Sequence, residues 1–118
     1  MTVRRMKTYT GGQGYVYQYY FVGQRAALNA QTPSTEYVFD VTSDRKTMFS
    51  VSVFLPADSV RAWGARHGRQ LTDAEQYAAV KMRLFRAFDE IEDMKAAGRT
   101  LSVDQPVLEE LLATLGVA

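Results

Sequence analysis

The sequence predicts an α+β fold: an antiparallel three-stranded sheet followed by three helices, with a long helix across one face and an amphipathic C-terminal helix. Three observations carry that prediction. Three strand-like runs precede every helical pattern, and strands clustered before helices favour a layered α+β arrangement over alternating units. Two of those runs alternate strictly between apolar and polar residues. A capping box at Thr72-Asp73-Ala74-Glu75 opens a long stretch whose apolar residues return at helical spacing.

The first fourteen residues are basic and then glycine-rich, with Arg4, Arg5, Lys7, Gly11, Gly12 and Gly14. Ordering such a stretch costs much backbone entropy, so 1–14 reads as a flexible arm and 15–118 as a single domain. The glycines of Gly11-Gly12-Gln13 read as a flexible loop. Because they are not placed between a strand and a helix, they predict no phosphate-binding loop.

Tyr15 to Val22 is aromatic and β-branched and stops at Gly23, which predicts a strand. Gln24 to Ser34 reads as a connection with room for one helical turn. Glu36 to Thr42 puts Tyr37, Phe39 and Val41 on one side. After the polar turn Ser43–Lys46, Thr47 to Leu55 puts Phe49, Val51, Val53 and Leu55 on one side, so the two runs form a hairpin.

Pro56 lacks the N–H that a ladder needs and ends the strand. Asp58 then offers a cap for a short helix from Ser59 to about His67, with Val60, Trp63 and His67 on its buried side and Gly68 as its stop. The long helix is predicted from Thr72 to about Ala97. Tyr77, Val80, Leu84, Ala87, Phe88, Ile91 and Met94 share one arc of its wheel, and Ala78, Met82 and Phe85 form a second patch on the flank. Two apolar patches call for two covering surfaces. Leu101 to Gln105 reads as a connection, and Pro106 leads into Val107, Leu108, Leu111, Leu112 and Leu115, closed by Gly116.

The chain has 118 residues, 47% of them hydrophobic and 23% charged, enough for one folded core. A formal charge of +1 supplies no general attraction to phosphate or anionic lipid. The absence of cysteine excludes disulfides, thiolate nucleophiles and thiolate metal sites. No secretory or twin-arginine signal is complete and no apolar run is long enough to span a bilayer, so the cytoplasm is the expected compartment. No cofactor and no metal are expected.

His67 is the single histidine, so histidine chemistry must run through it alone. Four residues after Trp63 and near a helix end, it is accounted for by the helix dipole and by packing on the indole. Its functional version pairs it with Asp58 or Glu75. Asp89, Glu90, Glu92 and Asp93 form an acidic cluster, with Asp89 and Asp93 one turn apart; with no histidine or cysteine beside them, a solvated face is the simpler reading. Arg86 and Glu90 are expected to pair within the helix.

The leading expectation is association without catalysis, as a homodimer, because the sheet and helix carry more apolar surface than they can hide from each other. The candidate interface residues are Tyr15, Tyr17, Tyr19, Tyr20, Val22 and Phe85, with Leu108, Leu111, Leu112 and Leu115 of the last helix. A second reading is a small-molecule or enzymatic pocket between sheet and long helix, lined by Tyr17, Tyr37, Trp63, His67 and Tyr77. A third is nucleic-acid binding through the aromatic first strand and the cations Arg4, Arg5 and Lys7, with Glu36 and Asp40 opposing it by repelling phosphate.

Overall fold

The computed structural model describes residues 6–12, 14–27 and 33–117, and its sheet has five strands rather than three. Their order is that of the sequence: β1 (Lys7–Thr10), β2 (Val16–Ala27), β3 (Ser34–Thr42), β4 (Phe49–Pro56) and β5 (Thr100–Ser102). The first four pair antiparallel, while β5 joins β4 in parallel. Four helices complete the fold: α1 (Ala57–His67), α2 (Asp73–Glu90), α3 (Met94–Ala97) and α4 (Gln105–Thr114). No helix among the described residues is long and apolar enough to cross a membrane.

The two strands missing from the sequence prediction are short and make little use of apolar residues. β1 lies within the stretch expected to be a flexible arm, yet Lys7–Thr10 pairs along its whole length with β2. Gly11, Gly12 and Gly14 lie in the turn between them: the Gly14 N–H donates to the Gly11 carbonyl, and Gly14 takes the positive φ of 88° that a side chain resists. The glycines therefore do follow a strand, but they open a hairpin and not a helix. β2 also runs further than Val22, to Ala27, through a bulge between Phe21 and Gly23 that leaves Val22 as the extra residue.

The β3–β4 hairpin has the predicted inward faces. Tyr37, Phe39 and Val41 and their neighbours Phe49, Val51, Val53 and Leu55 are buried. Its turn is organised by Asp44, whose carboxylate accepts from the Lys46 and Thr47 amides and from the Thr47 and Thr42 hydroxyls. Those donors hold the Asp44 carboxyl far below the usual range.

The capping box of α2 is present: the Glu75 N–H donates to the Thr72 hydroxyl, and the Thr72 N–H donates to the Glu75 carboxylate. The helix ends at Glu90, well short of Ala97. Asp89, Glu90, Glu92 and Asp93 put negative charge where the backbone dipole is already negative, and no basic residue stands in the last turn. The chain turns at Ile91 and restarts as α3, whose first amides are capped by Asp93.

All four helices share one face of the sheet. Val80, Leu84, Ala87 and Phe88 of α2, Trp63 of α1, and Leu108, Leu111 and Leu112 of α4 belong to the same core as the inward strand residues. The second patch on α2 finds its own cover, since Tyr9 of β1 stacks on Phe85 at 4.5 Å. Trp63 of α1 is buried as expected, whereas Val60 and His67 are less buried and Ser59 faces the core instead.

Candidate functional site

His67 sits at the C-terminal end of α1, where Gly68 adopts the left-handed cap (φ 74°) and donates its N–H to the Gly64 carbonyl. The imidazole stacks on Trp63 at 4.3 Å, and its Nε2 lies 2.8 Å from Glu109 of α4. Neither Asp58 nor Glu75 is its partner. Asp58 pairs with Arg61, and Glu75 takes a two-pronged contact from Arg69, whose guanidinium also lies 5.1 Å from the Trp63 ring. The cluster ties α1, α2 and α4 together through stacking and charge. Among the described residues His67 has one hydrogen-bonding side chain beside it, a carboxylate, and no nucleophile for it to activate.

Glu75 carries a pH dependence. The Arg69 guanidinium and the Thr72 amide pull its carboxyl down to about 2. Its folded pKa lies below the ordinary carboxylate value, so its contribution is complete above that value and lost as pH falls toward 2. Glu75→Gln is expected to flatten the acid limb of the stability curve between about pH 4.5 and pH 2. An unchanged limb in denaturant titrations across that window would show that Glu75 is not held this way.

The acidic cluster is divided among structural tasks. Asp89 accepts from the Tyr9 hydroxyl (2.9 Å) and the Gly12 amide (2.8 Å), fastening the β1–β2 turn to α2, and Asp93 caps α3. The break at Ile91 separates Asp89 from Asp93, and no group of metal-binding side chains occurs among the described residues. Arg86 reaches Glu110 of α4 at 3.1 Å, not Glu90.

The expected pocket between sheet and long helix is filled by the rings assigned to line it. Tyr17 and Tyr37 are each 2% exposed and Trp63 1%. Tyr17 stacks on Phe88 at 4.3 Å, and Tyr77 meets Phe21 edge-on at 5.0 Å. The hollows lie elsewhere. One of about 700 Å³ runs between α1 and the start of α2, along Val60, Gly64, Gly68 and Leu71. A smaller one of about 280 Å³ opens at the β2 bulge, lined by Val22, Gly23, Gln24, Arg25 and Val38.

The surface that remains is the sheet face turned away from the helices. Among the described residues no element covers it. Register places Val16, Gln18 and Tyr20 of β2, Glu36, Val38 and Asp40 of β3, and Ser50, Ser52 and Phe54 of β4 on that face. Both acidic groups are satisfied from the neighbouring strands on either side. Asp40 accepts from the Tyr20 hydroxyl at 2.8 Å and the Ser50 hydroxyl at 3.3 Å. Glu36 accepts from the Arg25 guanidinium and the Ser52 hydroxyl, each at 2.7 Å. These bonds hold the Glu36 carboxyl below its usual range and leave its side chain 12% exposed on an open face.

No protein family, curated protein or solved structure matches this chain. Its own geometry is the ground on which a function can be argued.

The candidate interface residues fall into two groups. Tyr17 and Tyr19 point toward the helices, and Leu108, Leu111 and Leu112 fill the space under α4, all at most 4% exposed. Their burial inside one chain removes them from any outer surface. The expectation missed this because two alternate sets of β2 residues are both aromatic, and sequence alone does not say which set faces inward. Tyr15, Val22 and Leu115 are exposed, Tyr20 is half-buried on the uncovered face, and Phe85 is half-buried beneath Tyr9. Of the nucleic-acid candidates, Lys7 stands on the helix side of β1, while Arg4 and Arg5 lie outside the described residues. Sequence reasoning missed the bulge and the Asp40 and Glu36 bridges. Glu36 and Asp40 were readable as outward residues, but their partners depend on strand register.

Proposed function

We propose that this domain acts by association with a second copy of itself through the uncovered sheet face, without a chemical step of its own. The observation that carries this reading is the satisfaction of all four carboxylate oxygens of Asp40 and Glu36 by side chains of adjacent strands. Water would serve a permanently wet face equally well. A face prepared for dehydration needs those oxygens paired beforehand, because a buried carboxylate left without partners is costly.

Size and composition support the same reading. Four strands at about 4.8 Å spacing and about eight residues of length give a flat area near 500 Å². Side-chain relief raises the accessible area toward the ~800 Å² per partner typical of a stable complex. Val16 and Val22 are 40% and 37% exposed there, beside half-buried Val38 and Phe54. A two-fold arrangement would place this patch on itself. Stacking of nucleobases finds less support, because Tyr20 on this face is bound to Asp40, and the negative charge of Asp40 and Glu36 repels phosphate.

Light-scattering mass at tens of micromolar tests the proposal. The wild-type chain is expected at twice its monomer mass, and Val38→Glu at the monomer mass with unchanged circular dichroism. A wild-type monomer under those conditions would refute it.

A further inference from the structure

The hollow of about 280 Å³ at the β2 bulge opens between Val22, Gly23, Arg25 and Val38. Strand register accounts for it. Val38 of β3 stands opposite Gly23 and Glu36 stands opposite Arg25, so Gly23 belongs to the outward row of β2 and adds no side chain to it. The bulge does not itself require glycine there, because Gly23 is not among the residues of positive φ. A Cβ built at Gly23 meets nothing within 4 Å, so no close approach inside this chain requires it either. A glycine in a strand also marks a place where something else comes close to the backbone.

The apolar counterpart stands two strands away. Phe54 of β4 faces Glu36, in the same row as Arg25, at about 10 Å from β2 across two strand spacings. It is the largest side chain on the uncovered face without a polar atom, half-buried and outside the core cluster. A two-fold axis parallel to β3, lying between two such faces, exchanges the two sides of the sheet and preserves position along the strands. It therefore lays β4 of each copy over β2 of the other, with Phe54 above Gly23–Arg25. Packed sheets lie about 10 Å apart, and a ring on one reaches the backbone of the other where that backbone carries no side chain.

We infer, resting on the reading that the uncovered face joins two copies, that Phe54 of each copy inserts into the bulge hollow of the other. The ring packs against Val22, Val38 and the stem of Arg25, whose guanidinium stays on Glu36. The contact is made twice, once in each direction, as two-fold symmetry demands. The same axis lays β3 over its own copy. Each Glu36 enters already paired with Arg25, and the crossing angle of about 30° between packed sheets carries the two Asp40 carboxylates sideways from one another.

Dimer dissociation constants from sedimentation equilibrium of full-length variants test this inference. Phe54→Ala, which removes the knob, and Gly23→Leu, which fills the hole, are each expected to weaken the dimer about a hundredfold, from two contacts worth about tenfold apiece. The double variant carrying Phe54→Ala and Gly23→Leu exchanges knob and hole and should bind more tightly than either single variant. Circular dichroism establishes that each chain is folded. A wild-type dimer that both folded single variants leave undiminished, or a double variant weaker than either, would overturn the insertion of Phe54 while the association of the two faces stands. A wild-type monomer would remove both.

Discussion

Phe88→Ala is expected to lower the unfolding free energy by about 3–5 kcal/mol, a large share of the 5–15 kcal/mol that holds a domain together. Phe88 is fully buried at the point where α2 meets the first two strands. Its ring stacks on Tyr17 at 4.3 Å and lies 5.7 Å from Tyr9 and 6.1 Å from Tyr19. Removing it leaves three aromatic rings facing a void, and the surrounding strands are too firmly paired to close it. Phe85→Ala should cost less, because Phe85 is half-buried and its void opens toward solvent. The check is chemical unfolding followed by circular dichroism. Equal midpoints for Phe88→Ala and Phe85→Ala would mean that the core is not centred here.

The second large effect separates two roles for the C-terminal helix. Leu111 is 1% exposed and Leu115 is 39% exposed, although both belong to the same apolar stripe of the sequence. Leu111→Glu places a carboxylate at a position 1% exposed in the core under α4, which costs several kcal/mol. It is expected to yield unfolded or aggregated chain. Leu115→Glu should unfold within about 0.5 kcal/mol of wild type. A folded, monomeric Leu111→Glu would reverse this assignment and make α4 the contact surface between copies.

Much of the fold was legible because local chemistry and tertiary structure agree. Thr72 and Glu75 announce the start of α2, Gly68 announces the end of α1, and the inward residues of β3 and β4 follow from period-two alternation. Agreement fails where an element owes its existence to its neighbour. Lys7–Thr10 contributes one inward ring, Tyr9, and Thr100–Ser102 contributes Leu101, so neither produces a pattern longer than a turn. Both are strands because an adjacent edge offers them a ladder. The end of α2 at Glu90 was signalled by charge alone, without glycine or proline, and a reading based on apolar periodicity runs past it.

The uncovered face was legible in half. Glu36, Val38 and Asp40 could be placed outward from alternation within β3. The bonds on which its proposed burial rests, Tyr20 and Ser50 on Asp40 and Arg25 and Ser52 on Glu36, depend on three strands being in register.

The parallel pairing of β5 with β4 sets an order of assembly. β1 to β4 are joined by hairpins and can zip locally, but β5 must wait for the chain from Ala57 to Arg99 to be laid down before the Ser52 amide meets the Arg99 carbonyl and the Val103 amide meets Phe54. Closing that long loop is slow, and until it happens the outer rim of β4 stands open. The interval between synthesis of Pro56 and docking of Leu101 is therefore when a nascent chain is most exposed to pairing with the wrong strand.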